Sequence, residues 1–277
     1  MVFNASKFEL LRFWLDRDKA PDILYMAPNG GPIEEKDCLR DLGVRISTDL
    51  TFNLQIDKVV EAGSRMAGWA LRTFRSRGRL LMLTVLRSLI QPRLDYCSQL
   101  WSPRDQGSIN RIEQVQRRFI SQIADKSLQK LSYWEKLTQL RVYSQERRRE
   151  RYQICFLWKV SQGLISGYSI TWQLNDRRGR FAVPTTIPKT APAKVRQARE
   201  RTLAVHGARL FNLLPKNLRN ENSGDFALFK NNLDIYLATV PDQPTTPGLV
   251  RAAVTNSLVD QVPLCDEDCL SSQAKYC

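Results

Sequence analysis

The chain has 277 residues, 43% of them hydrophobic, enough apolar side chain for one large domain or two small ones and too much for disorder throughout. Lysine and arginine number 42 against 28 aspartates and glutamates, and the formal charge of +14 is an excess of the kind that phosphate backbones attract. No run of about eighteen apolar residues and no charged start leading into an apolar core is present, so neither a membrane span nor a secretory leader is expected. An intracellular protein, in the nucleus, the cytoplasm or both, is the expectation. Cys38, Cys97 and Cys155 lie far apart in apolar surroundings, which predicts reduced thiols.

The charge is concentrated. Residues 72–151 hold 18 basic and 7 acidic side chains, whereas residues 1–71 hold 9 and 11. A block the size of one small domain thus carries most of the excess, which predicts one electropositive surface.

Residues 1–46 read as strands. FELLRFW and ILYM are short apolar runs, Asn29, Gly30 and Gly31 supply a tight turn, and DCLRDLGVRIS alternates as a third strand. Two or three strands bury too little surface to stand alone, so another layer is needed. From Phe52 onward, Ile56, Val59, Gly63, Met66, Ala70 and Phe74 fall three and four apart, the spacing of one helix face. Lys58, Glu61, Arg65, Arg72 and Arg75 lie off that face, and Arg72, Arg75, Arg77 and Arg79 crowd its C-terminal end, where cations complement the helix dipole.

Leu80, Leu83, Leu86, Leu89 and Ile90 predict a second helix closed by Pro92, followed by a connector anchored by Tyr96 and Trp101. Gly107 and Ser108 open a third, with Ile109, Ile112, Val115, Phe119, Ile120 and Ile123 inward and Arg111, Gln114 and Arg118 outward. Ser132 and Glu135 have the spacing of a capping box, and Ser144 caps a helix whose first half is almost entirely charged and whose second half carries Ile154, Leu157, Trp158 and Ile165. Residues 166–202 read as a long basic loop with at most one short strand, residues 203–240 as a helical segment with Ser223 as an N-cap, and the proline-rich residues 241–277 as a mobile tail.

Catalytic constellations are scarce. His206 is the only histidine and lies beside an apolar run, which favours a structural role over a catalytic one. No glycine-rich nucleotide loop is present. Two-metal chemistry needs paired carboxylates, yet Asp16 and Asp18 flank an arginine, and Asp266, Glu267 and Asp268 lie in the tail. Cys265, Cys269 and Cys277 have part of a zinc-knuckle spacing but no fourth ligand follows, so no metal site is expected. Arginine clusters are the stronger signal: Arg117 with Arg118, Arg147 with Arg148, Arg149 and Arg151, and Arg177 with Arg178 and Arg180 recur near Phe119, Tyr152, Trp158 and Phe181. Guanidinium groups bind phosphate in bidentate fashion, and aromatic rings stack on bases.

A set of segments in a fixed order then carries a resemblance. DLGVRISTDLTFNLQIDKVVEAGSRMAGWALRTFRSR, LRSLIQPRLDYCSQLWSP, INRIEQVQRRFI, LSYWEKLTQLRVYSQERRRERYQICFLWKV, LFNLLPKNLRN and FKNNLDIYLATVPDQP together resemble the C-terminal part of LINE-type, jockey-like non-LTR retrotransposon reverse transcriptases over most of residues 1–247. The resemblance implies a palm remnant over 1–50, in which Asp41, Leu42, Gly43 and Val44 match the primer-grip strand, and a thumb-like basic helical bundle over 51–165. It implies a template-primer duplex of RNA and DNA as partner, with Lys58, Arg65, Arg72, Arg75, Arg77, Arg117, Arg118, Arg147 and Arg148 as candidate contacts. The catalytic aspartates, and the Mg2+ they hold, belong to a segment of the family that precedes the matched ones, so a piece that grips nucleic acid and is inactive alone is expected, with the upstream polymerase domain as a possible partner. The alternative is a basic helical nucleic-acid-binding or scaffolding module with no polymerase role. The fold class expected is mainly α, with a small N-terminal antiparallel β piece and a disordered C-terminal tail.

Overall fold

The computed structural model describes residues 4, 7–13, 23–165, 174–175, 180–181, 193–219, 224–244 and 256–262. Asn53–Thr73 form helix α1. Its apolar face is the one that the spacing predicts, with Ile56, Val59, Gly63 and Ala70 buried, although Ala67 occupies the innermost position at its level and Met66 is only half-buried. At Gly63 the helix crosses two others so closely that a Cβ there would lie 2.6 Å from Leu94 and 3.2 Å from Val115. The helix stops at Phe74, whose backbone is extended, so Arg75 and Arg77 lie in the linker beyond it and Arg79 begins the next helix.

Before α1, the runs expected as strands make only isolated bridges, Leu10 to Glu35 and Met26 to Pro32. The ILYM run is exposed at all four side chains. The segment expected as a single third strand is instead a hairpin: β1, Cys38–Asp41, pairs antiparallel with β2, Val44–Ser47. Leu42 (φ 44) and Gly43 (φ 92) form its two-residue turn, and positive φ at both centres is what matches the twist of the flanking strands. Asp41, Leu42, Gly43 and Val44 are therefore the turn and its flanks. Val44 is buried in the core beside α1, and the backbone N–H of Arg45 donates to the buried Gln55 side chain at 2.9 Å, which seats the hairpin on α1.

The second helical run, α2 (Arg79–Val85), passes through a widened π turn at Leu86–Ile90 into α3 (Gln91–Asp95). Pro92 lacks an N–H and its ring crowds the carbonyl one turn back, and the widened turn lets the helix continue past it. The predicted stripe is rotated: Met82, Val85, Leu86 and Ile90 are buried, while Leu80 is 82% exposed. A short α4 (Ser98–Trp101) ends on the buried Trp101, whose indole N–H donates to the Tyr96 carbonyl at 2.8 Å.

Helix α5 (Gln106–Ile120) is capped by Asp105, which accepts from the Ser108 N–H at 2.8 Å, and all six residues predicted to face inward are buried. Helix α6 (Tyr133–Leu140) begins with the predicted Ser132/Glu135 capping box. These elements share one core.

Helix α7 (Gln145–Ser161) links that core to a second. Its C-terminal half, with Ile154, Leu157 and Trp158, packs with β4 (Arg180–Phe181, paired with β3, Leu174–Asn175) and with α9 (Ala208–Asn212), α10 (Lys216–Arg219), α11 (Phe226–Thr239) and α12 (Leu258–Gln261). Trp158 stacks on Phe229 at 4.8 Å between centroids. Three sequence expectations differ here, the first being that the stretch 166–202, expected to hold at most one short strand, holds the paired β3 and β4. Within the predicted loop 166–202, Ala193–Arg201 form helix α8. Within the predicted tail, Asn256–Val262 lie against α7, with Leu258 buried and its N–H donating to Glu150. Helix α11 is capped by Asp225. Ser223, expected as its cap, lies outside the described residues, as do Asp16, Asp18, Arg177, Arg178 and the residues from 263 onward. The architecture is mainly helical with a small antiparallel sheet near the N-terminus.

Candidate nucleic-acid interface

The hairpin, α1 and the end of α3 enclose a groove of about 360 Å³ lined by Arg40, Arg45, Lys58, Arg65 and Arg93, with Tyr96 and Gly43 at one end. Among the described residues no carboxylate lines it, and the nearest to its cations is Glu61, paired with Lys58 and Arg65. Arg40 sits directly opposite Arg45 across the two strands. Like charges in that position repel and destabilise a hairpin, and a bound anion would reverse the sign of the interaction. The groove walls are fixed from below by the Arg45-to-Gln55 bond and from the side by the Tyr96 phenol, which donates to the Leu42 carbonyl at 2.8 Å.

From the groove a row of cations runs along α1. Lys58, Arg65 and Arg72 are all exposed and stand seven residues apart, two helical turns or about 10 Å, so they share nearly one face. Glu61 lies between the first two, 3.2 Å from Lys58 and 3.5 Å from Arg65, and those cations hold its carboxyl below the usual range. Exposed pairs of this kind are weak and exchange readily for phosphate. Arg75 is exposed in the linker beyond the end of α1.

The other predicted contacts are placed differently. Arg118 is exposed on α5. Arg117 is half-buried, its guanidinium 4.5 Å from the Tyr133 ring centre and 5.5 Å from that of Trp134. Arg77 is turned inward, donating to the Leu71 carbonyl. Arg148 is held by Asp95 at 2.5 Å.

Arg147, expected as a phosphate contact, has no accessible side-chain surface in this fold and faces the interior. It donates to the carbonyls of Pro241 at 3.0 Å and Asn256 at 3.2 Å. Charged runs at helix starts are ordinarily solvated. This one is covered, because Tyr133, Asp242 and Asn256–Leu258 close over it from three other parts of the chain. Glu113 accepts from the Gln145 N–H at 2.7 Å and from the Tyr133 phenol, Ser144 donates to Asp242 at 2.7 Å, and Glu150 accepts from Ser257 at 2.5 Å. Burial pushes the Glu113 carboxyl up to about 7 and raises those of Glu146 and Asp242. Arg104 donates to the buried His206, whose basicity is lowered well below normal first by burial and then by Arg104. The histidine is thus a packed acceptor, as its apolar surroundings predict.

Sequence reasoning missed Arg40, Arg45, Arg93 and Tyr96. The signal for the first two was present in the turn: a Leu-Gly pair between two alternating runs places Arg40 and Arg45 at equal distances from the bend, hence opposite one another. For Arg93 and Tyr96 no local signal exists, since packing of α3 on α1 brings them in. Among the described residues no group of three or more His, Cys, Asp or Glu side chains converges as a metal site requires, and no helix is long and apolar enough to cross a membrane.

No family model matches the chain, and no curated protein or solved structure matches it either.

Proposed function

We propose that the chain is the template-primer-binding portion of a non-LTR retrotransposon reverse transcriptase, gripping an RNA and DNA duplex through its phosphate backbone. The carboxylates and Mg2+ for nucleotidyl transfer would be contributed by an upstream palm domain, and this portion is inactive alone. One observation carries the binding reading: five cations line one groove against the single neighbouring carboxylate of Glu61, two of them as a cross-strand pair of like charges that a bound anion would relieve. The ordered family-like segments support the polymerase part of the reading. So do the exposed apolar side chains Ile23, Leu24, Tyr25 and Met26, which have the character of a strand awaiting a neighbouring layer.

Titration against an RNA–DNA hybrid with a recessed primer end tests it. Arg40, Arg45, Lys58, Arg65, Arg72, Arg75 and Arg93 can neutralise several phosphates, so affinity falls by about a thousandfold between roughly 50 and 200 mM salt. A flat salt response sinks the binding reading. Equal affinity for the hybrid and for heparin favours the alternative, a basic module without polymerase ancestry.

A further inference from the structure

A second basic cavity, sharing no lining residue with the groove, opens between α3, α6, α7 and α11. It measures about 270 Å³ and is lined by Arg87, Arg141, Arg148 and Arg151, with Tyr143, Tyr152 and Asp234 among the remaining walls. Two of the arginines are fixed: Arg151 is bidentate to Asp234 at 2.5 and 2.6 Å, and Arg148 meets Asp95 at 2.5 Å. The phenol of Tyr152 contacts the same Asp95 at 3.4 Å, and that of Tyr143 donates to Asp234 at 3.3 Å. Arg87 and Arg141 are exposed and form no ion pair among the described residues. Four guanidinium groups against two carboxylates leave two uncompensated positive charges.

Arg141 adds an independent observation. It stands at the C-cap of α6 with φ 52 and ψ 52, the left-handed conformation in which glycine is the favoured residue. A long cationic side chain at a strained position whose neighbour is a basic cavity points to a use for that side chain.

We infer that this cavity binds a phosphate dianion, the charge state of a phosphomonoester and not of an internal phosphodiester. The excess of two positive charges matches a dianion, while a diester linkage brings only one negative charge. Arg148 and Arg151, held in place by their carboxylates, form the preorganised wall. Arg87 and Arg141 close on the ligand from the open side, and guanidinium forks suit phosphate oxygens. Two sources offer this chemistry, the terminal phosphate of a nucleic acid and free phosphate. The inference is independent of the duplex reading, because a monoester site could serve a protein that never holds a template.

The test uses the full chain and three probes at near-neutral pH: inorganic phosphate, and a short single strand carrying either a 5′-phosphate or a 5′-hydroxyl. The 5′-phosphorylated strand binds about tenfold more tightly than the 5′-hydroxyl strand. Inorganic phosphate in excess removes that preference. Arg141→Gly abolishes the preference without lowering the melting temperature, since it relieves backbone strain while deleting the cation. Arg87→Ala abolishes it as well. Binding of inorganic phosphate without an end preference assigns the cavity to free phosphate, provided both substitutions abolish that binding. The inference is overturned if no probe distinguishes a phosphate dianion, or if discrimination survives in both variants.

Discussion

The phenol of Tyr96 donates to the carbonyl of Leu42 at 2.8 Å, tying the tip of the β1–β2 hairpin to the end of α3 across 54 residues of chain. Leu42 itself is 85% exposed and has φ 44, so the tip is held by this bond and by Val44 below, not by packing of its own side chain. Tyr96→Phe removes the bond at a solvent-accessible position and lowers stability by about 1 kcal/mol or less. Its effect on the hybrid is larger in proportion, a several-fold loss of affinity, because Arg40 and Arg45 no longer stand over Lys58. Paired melting and anisotropy measurements separate the two. Unchanged affinity means the hairpin takes no part in the grip.

Two glycines of α1 give opposite expectations. Gly63 lies where α1 touches Leu94 and Val115, and a methyl group 2.6 Å from the Leu94 side chain forces α1 away from α3. Gly63→Ala therefore destabilises by about 1–3 kcal/mol. Five residues on, a Cβ at Gly68 meets only the flexible end of Arg72 at 3.3 Å, and Gly68→Ala stabilises by about 0.5–1 kcal/mol through helix propensity. Urea midpoints of the two variants, moving in opposite directions from the parent, are the expected outcome. A loss at both positions would place Gly68 at a close contact as well.

The contrast between α5 and α7 shows how much of the fold the sequence discloses. In α5 the apolar positions are regular, its partners lie nearby in the chain, and every predicted inward residue is buried. In α7 the opening residues Glu146, Arg147, Arg149 and Glu150 look like a solvated face, and their burial depends on Asp242 and Asn256–Leu258, roughly a hundred residues later. Periodicity within a segment carries no information about a cover supplied from so far away. The groove is legible in the same partial way. Lys58 and Arg65 stand out as cations off an apolar face, whereas Arg93 joins them only because Gly63 lets α3 approach α1.

Glu113 makes stability depend on pH. Burial raises its folded-state pKa from the ordinary 4.5 to about 7, against the hydrogen bonds from Tyr133 and Gln145 that favour the ionised form. Between those values the folded protein holds a proton that the unfolded chain has released, so its contribution is complete below about pH 4.5 and is lost as pH rises through about 7. The loss is on the order of 3 kcal/mol. His206, with its basicity lowered, acts in the opposite sense below about pH 6.5 and offsets part of the carboxyl's effect there. The Glu113 contribution is isolated by comparing denaturation midpoints of the parent and of Glu113→Gln, which does not titrate: from about pH 4.5 to about 7 the parent loses stability relative to the variant. An identical slope in the variant would show that the carboxyl is already ionised when folded.

Arg65 and Arg147, both candidate phosphate contacts by sequence, should respond in unlike ways to truncation. Arg65 is exposed and makes only a 3.5 Å pair with Glu61, so Arg65→Ala changes stability by less than about 0.5 kcal/mol. It removes one phosphate contact, and the slope of log affinity against log salt becomes shallower by about 1. Arg147 is sealed between Glu150, Pro241 and Asn256, and Arg147→Ala leaves two carbonyls and a buried carboxylate without their cation, at about 3 kcal/mol. The fraction of Arg147→Ala that remains folded binds with an unaltered salt slope, because the lost charge never faced the ligand. A shallower slope for Arg147→Ala measured on folded protein would mean that the segment from Asn256 to Leu258 lifts away from α7 when nucleic acid binds.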